Sequence, residues 1–161
     1  MTKVRRGTVD DAQVIARVQV ATWRTTYAGI VPDDHLAGLD PVRMSEKWAK
    51  VLAEAESETC FFVTENADGD VVGFACGGPL REPLAGYEGE LYAIYILQDE
   101  QRRGMGRALA RAVVRDLVDR GMTSMVIWAL AENPSRGFYD ALGGRVLARR
   151  DVEMGGARLP E

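Results

Sequence analysis

A chain of 161 residues that is 47% hydrophobic and 27% charged has the composition of a folded globular protein, not of a disordered or fibrous one. Its 20 basic and 24 acidic residues leave a net charge of −4, which argues against a general nucleic-acid coat. No apolar stretch is long enough to cross a bilayer and the N-terminus lacks a signal-peptide pattern, so the chain reads as cytoplasmic, with neither nucleic acid nor membrane as partner. Two cysteines and one histidine, far apart, cannot make a zinc site, and no metal is expected.

In chain order, Lys3 to Arg6 reads as a short first strand. Thr8 is placed to cap a helix whose first turn carries Asp10 and Asp11, where acidic side chains favour the helix dipole. Val14, Val18, Ala21 and Thr25 give that helix a buried side running towards Tyr27, and Ala28 to Pro32 breaks it. A second helix is expected over Pro41 to Glu56, with Trp48 and Leu52 inward; His35, in the loop between, reads as a surface residue. The segment Trp23 to Pro32 combines two aromatics, an arginine and a turn. Trp23 and Tyr27 there are either helix-end packing or the wall of a pocket.

Thr59 to Glu65 and Val71 to Gly77 are expected to form a hairpin around Asn66-Ala67-Asp68-Gly69-Asp70. If Glu65 pairs with Val71, Phe62 faces Phe74 and Cys60 faces Cys76; a cytoplasmic chain keeps those thiols reduced. Arg81 to Gly89, with two glycines and a proline, is a loop expected to be mobile and to border the site.

Glu90 to Leu97 is a compact apolar run rich in β-formers, the pattern of a buried strand. After Gln101-Arg102-Arg103-Gly104-Met105-Gly106, the residues Met105, Leu109, Ala112, Val113 and Leu117 recur at helical spacing, with Arg107, Arg111 and Arg115 on another face. A strand therefore feeds a glycine-bearing turn that opens a helix. Backbone N–H groups in such a turn, with the free donors of the helix start, suit a phosphate or pyrophosphate. The other reading is an ordinary turn whose glycines only shape the chain. Neither the dinucleotide fingerprint, which would need a glycine where Leu109 stands, nor the P-loop fits.

Met125 to Leu130 is a further strand, and Gly144 to Met154 alternates as one, despite Arg150 on its apolar face. Between them, Asn133 precedes a short helix ending in Phe138-Tyr139-Asp140-Ala141-Leu142-Gly143, where Gly143 would act as the C-terminal cap.

Two of these stretches carry a resemblance. The pattern Gln101-x-x-Gly104-x-Gly106 after a strand is similar to the acetyl-CoA-binding motif of the GCN5-related N-acetyltransferase (GNAT) family. Asn133 followed by Phe138-Tyr139-x-x-Leu142-Gly143 resembles its second motif, with Gly137 and Gly144 as departures. The two occur in the family's order, and Val72 to Ala75 resembles its third strand. The resemblance implies an α/β protein: a central mixed, mostly antiparallel, twisted sheet of six or seven strands, splayed at the acetyl-CoA site and flanked by about four helices. It also implies that residues 1–161 form one acetyltransferase domain.

On that resemblance, acetyl-CoA is a co-substrate and the acceptor is a primary amine on a small molecule or peptide. Backbone groups of Gln101, Arg102, Arg103, Gly104, Met105, Gly106 and Arg107 would hold the pyrophosphate, Ile96 N–H the thioester carbonyl, and Asn133 the pantetheine arm. Tyr139, a phenol protonated at neutral pH, would give its proton to the thiolate. Glu90 would accept the amine proton, directly or through water, unless it is only a solvated carboxylate at a strand end. Trp23 and Tyr27 would wall the acceptor site. A non-catalytic acyl-CoA-binding domain would keep the Gly104 loop without needing Tyr139.

The family's last strand normally returns to lie beside the Met125 to Leu130 strand. Gly155-Gly156 offers a hairpin turn, but the five residues from Ala157 to Glu161, one of them Pro160, cannot supply that ladder. Either a homodimer covers the edge with a neighbour's strand, or the chain stops short of its natural end.

Overall fold

A computed structural model describes residues 2–54 and 58–161. Five strands, β1 (Lys3–Arg6), β2 (Cys60–Glu65), β3 (Val71–Pro79), β4 (Gly89–Ile96) and β5 (Met125–Val126), form one sheet in the order β1-β2-β3-β4-β5. The first four pair antiparallel and β4 pairs with β5 in parallel. Helices α1 (Ala12–Thr26) and α3 (Pro41–Glu54) cover one face, and α4 (Met105–Asp119) covers the other. The short α2 (Asp33–Ala37) lies between α1 and α3, and α5 (Arg136–Ala141) follows β5. A hairpin of β6 (Asp151–Met154) and β7 (Ala157–Pro160) stands apart from the sheet. Of the expected Pro41 to Glu56 helix, residues 55–56 lie outside the described residues.

The faces follow from strand alternation. Phe61, Val63, Phe74 and Cys76 point towards α1 and α3; Cys60, Phe62, Ala75 and Leu91 point towards Leu109, Val113 and Leu117 of α4. The hairpin register differs from expectation. Glu65 does pair with Val71, but Thr64 pairs with Gly73, so Val72 is an extra residue, a β-bulge. The slip puts Phe62 opposite Ala75 and Cys60 opposite Gly77. Cys60 and Cys76 therefore sit on opposite faces, and both are free thiols.

Helix α1 is rotated from its expected face. Ile15, Ala16, Val18 and Thr22 are buried, whereas Ala21 and Thr25 are exposed. A turn of 3₁₀ helix over Val9–Asp11 precedes α1 and shifts the phase of the pattern. Thr8 N–H donates to Asp11 at 2.8 Å, and Arg5 grips the same carboxylate with two hydrogen bonds of 2.9 Å. Arg5 and Thr8 hold the Asp11 carboxyl below its ordinary 3.8, so its stabilising effect is complete above that pH and is lost as pH falls further. Asp11→Asn is expected to lower stability by about 1–3 kcal/mol at pH 7 in urea titration, with the difference from wild type shrinking on acidification below that value.

At the far edge, β5 is much shorter than the expected Met125 to Leu130. Only Gly89–Met125 and Glu90–Val126 pair before β4 and β5 part, leaving a fork that opens beyond Glu90. Past that point Leu130 packs instead against Tyr27, Val31 and Leu36. The expected Gly144 to Met154 strand also contracts, to Asp151–Met154. Val146 and Leu147, 60% and 51% exposed, have no face to bury, so their alternation has no structural consequence. The β6–β7 hairpin turns at Gly155-Gly156, as its sequence suggests. It packs Val152, Met154 and Leu159 onto the Tyr27 and Leu130 cluster and meets the β5 segment through Ala131 N–H donating to the Pro160 carbonyl.

Candidate active site at the strand fork

The Gly104 turn is built as its sequence demands. Arg102 and Gly104 both have left-handed backbones, φ 62° and 82°, and alternate with residues of ordinary conformation. The Gln101 amide donates to the Ile96 carbonyl at 3.0 Å and Arg103 pairs with Glu100 at 2.8 Å, fixing the loop to the end of β4. The first helical bond is Ala108 N–H to the Gly104 carbonyl. Among the described hydrogen bonds, no backbone N–H from Arg102 through Arg107 has an acceptor. These free donors, at a helix start that carries partial positive charge, form a concave nest that fits a phosphate-bearing group.

Gly106 has a different reason to be glycine. A Cβ there would stand 3.1 Å from the Phe138 ring, so its absence lets α5 close on the start of α4. This contact brings the two sequence motifs together. Gly143, φ 89°, ends α5 as expected, with its N–H on the Asp140 carbonyl.

Strand β4 presents its open edge to the fork. Leu97 N–H bonds the Val72 carbonyl, so the backbone groups of Ile96, one residue earlier, point away from β3 and into the gap left by β5. Between Cys76–Ala93 and Gly77–Leu91 the register skips Tyr92, a second bulge that kinks β4 beside the fork.

On the α1 side of the fork lies an aromatic group. Trp23 meets Tyr27 edge to face with ring centroids 4.8 Å apart, and its indole N–H is buried. Tyr27 is only 7% exposed. Its hydroxyl accepts from Asn133 at 3.4 Å, while Asn133 Oδ1 takes the Ser135 N–H at 2.8 Å. Both polar ends of the buried Asn133 side chain are thus engaged within the protein. Burial, and then the nearby Tyr27, push the Tyr139 phenol up to about 12. His35 is not a loop surface residue. It is half-buried in α2, its ring 6.4 Å from Trp23, and it packs against Gly155.

Glu90 is not a solvated strand end. It is 2% exposed, and among the described residues its carboxylate is held by Arg81 alone, through the backbone N–H at 3.1 Å, Nε at 3.1 Å and Nη2 at 2.5 Å. It lines a polar cavity of about 170 Å³ together with Arg81, Glu82, Trp128 and Arg150. The sequence offered a trace of this: Trp128 interrupts an aliphatic run and Arg150 breaks the apolar face of an alternating one. The Arg81–Glu90 pair had no local pattern to reveal it. No group of three or more potential metal ligands occurs among the described residues, and no helix is long and apolar enough to cross a membrane.

The comparisons with known proteins agree with this architecture. Residues 75–152 match the family described as FR47-like protein. The chain is 40% identical over 161 residues to the uncharacterized N-acetyltransferase YuaI of Bacillus subtilis, covering all of this chain and 90% of that protein. Among solved structures it is similar to the PaiA N-acetyltransferase of Thermoplasma acidophilum, a complex with coenzyme A, at TM-score 0.75, 16% identity and coverage of 99% and 96% of the two chains. A GCN5-related N-acetyltransferase from Rhodopseudomonas palustris matches at TM-score 0.76 and 21% identity, over 99% and 91%. With 90% of its relative matched at 40% identity and its fold shared with these enzymes, the chain belongs to the GCN5-related N-acetyltransferase family and is an acyltransferase of the N-acetyltransferase type.

Proposed function

We propose that this protein transfers the acetyl group of acetyl-CoA to a primary amine by direct attack within a ternary complex. The observation that carries the reading is the nest of unpaired N–H donors from Arg102 to Arg107, set beside a fork into which the Ile96 backbone points. The pyrophosphate lies on the nest. The pantetheine arm runs into the fork near Asn133, and Ile96 N–H donates a hydrogen bond to the thioester carbonyl, steadying the oxyanion as the amine adds. The new C–N bond forms and the C–S bond breaks. The amine proton passes to Glu90 through water in its cavity, and the leaving thiolate takes a hydrogen bond, then a proton, from Tyr139. Trp23 and Tyr27 wall the acceptor.

Neither thiol is a nucleophile in this scheme. Burial pushes Cys60 up to about 11 and Cys76 further, so neither is a thiolate at neutral pH.

A thiol titrates near 8.5, so a phenol near 12 is the weaker acid, and Tyr139 acts first as a hydrogen-bond donor to the developing charge. The pH dependence follows. The attacking amine must be free base, so kcat/KM rises with pH towards the amine's own pKa of about 10. Loss of the Tyr139 proton would begin only near pH 12. Rates measured between pH 6 and about 10 should therefore climb throughout, without a falling limb. A falling limb centred below about pH 9 that vanishes in Tyr139→Phe would contradict this assignment.

A further inference from the structure

A buried hydrogen bond joins the acceptor wall to the donor side of the fork: Asn133 Nδ2 donates to the Tyr27 hydroxyl at 3.4 Å. Asn133 is 7% exposed and lies just ahead of α5. The identity of its amide atoms follows from chemistry. Ser135 N–H can only donate, so the atom facing it at 2.8 Å is Oδ1 and the atom facing Tyr27 is Nδ2. Nδ2 carries two N–H groups, and among the described residues it has one acceptor, the Tyr27 hydroxyl. The amide is planar, so holding both of its ends sets the direction of the second N–H. A buried N–H of this kind is costly to leave unpaired and open to a ligand acceptor.

Tyr27 is a rigid mount for that contact. Its N–H bonds the Trp23 carbonyl, and its own carbonyl takes the N–H groups of Ile30 and Val31 at 3.0 and 2.9 Å. Its ring packs with Val31, Leu36 and Leu130, and Trp23 meets it edge to face. Burial, and then the charge of Glu161, push the phenol above its ordinary 10, so the hydroxyl is intact at neutral pH. What such a side chain offers is a fixed oxygen against which the Asn133 amide is set.

We propose that Tyr27 is a positioning residue for coenzyme A: its hydroxyl orients the Asn133 amide, whose second N–H meets an amide carbonyl of the pantetheine arm. This step rests on the acetyltransferase reading above. Pantetheine carries such carbonyls and the nucleotide half of coenzyme A carries none. Tyr27 thus serves the donor through its hydroxyl while its ring backs the acceptor wall, and the two halves of the site share one residue.

The test compares coenzyme A with 3′-phospho-ADP, which keeps the pyrophosphate and lacks the arm, by titration calorimetry. The unaltered protein should bind coenzyme A more tightly. Tyr27→Phe should weaken coenzyme A by about 3- to 10-fold, the span of one modest hydrogen bond, and leave 3′-phospho-ADP within about twofold. Asn133→Ala should weaken coenzyme A at least as much, and Tyr27→Phe added to it should have no further effect. Asn133→Asp gives an independent check should Tyr27→Phe fail to fold. There the Tyr27 hydroxyl can donate where it accepted, so the anchor survives, but no N–H remains for the arm; coenzyme A alone should lose affinity. Four results would overturn the proposal: equal affinity of the unaltered protein for the two ligands, unchanged coenzyme A affinity in Tyr27→Phe or Asn133→Asp, an equal loss for both ligands, or a further loss in the double variant. Each of these leaves the nest and the acetyltransferase reading in place. If neither ligand binds the unaltered protein, that reading fails and the role of Tyr27 falls with it.

Discussion

Replacing Gly104 by aspartate is expected to abolish coenzyme A binding while leaving the protein folded. A Cβ at Gly104 meets nothing within 4 Å, so the substitution creates no clash. Its backbone, at φ 82°, imposes a strain of roughly 1–2 kcal/mol on any non-glycine residue, least on Asp and Asn. The larger effect is electrostatic. Two like charges about 4 Å apart repel by ~4 kcal/mol at an effective dielectric near 20, which alone corresponds to about a thousandfold in affinity. Titration calorimetry should show Kd rising by at least about 10²-fold for Gly104→Asp. Gly104→Asn, which shares the backbone strain without the charge, should lose far less. Undiminished binding by a folded Gly104→Asp protein would remove the nest from the donor site.

The second large effect is expected at Tyr139. Tyr139→Phe keeps the ring that packs edge to face against Phe138 at 5.5 Å, so α5 and its contact with Gly106 should survive. Acetyl-CoA affinity should change less than about threefold, and kcat should fall by about 10²-fold or more, the usual scale for loss of a general acid. Because the missing group acts on the thiolate and not on the acceptor, KM for the amine should move little. An unchanged kcat would make Tyr139 a packing residue and leave the thiolate to depart unaided.

The Gly104 turn and the short helix after it were written in the sequence far more plainly than the aromatic and charged groups across the fork. Glycines at fixed offsets between an apolar run and a helical repeat let Glu90 to Leu117 be read as strand, turn and helix, although the turn alone fits a phosphate nest and a plain change of direction equally. Phe138-Tyr139 with Gly143 likewise marked a short helix and its end. The register of β2 against β3 was not legible. A bulge at Val72 costs one residue and leaves no compositional trace, yet it moves Phe62 and Cys60 to the opposite face from Phe74 and Cys76. The length of β5 was hidden for a related reason. Residues 125–130 are apolar because each has a surface to cover, but beyond Val126 they do so outside a ladder: Ile127 packs on the α4 side, Trp128 lies under Arg150 and Leu130 joins the Tyr27 cluster. Helix α2 is too short for its periodicity to show. The Glu90 cavity draws on residues 81, 82, 90, 128 and 150, and only the fold brings them together. Its sequence signs were Trp128 in an aliphatic run and Arg150 on an otherwise apolar face, a charge out of pattern because it stacks on Trp128.

Direct transfer of acetyl to an amine is tested most simply by incubating the protein with labelled acetyl-CoA, first alone and then with a panel of amines and amino acids. The account predicts no label on the protein in the absence of acceptor, since neither buried thiol is ionised. With a good acceptor it predicts one acetylated amine for each thiol released. Stable acetylation of the protein chased onto the amine would contradict direct attack, and thiol release no faster than the blank with every amine would contradict the function itself.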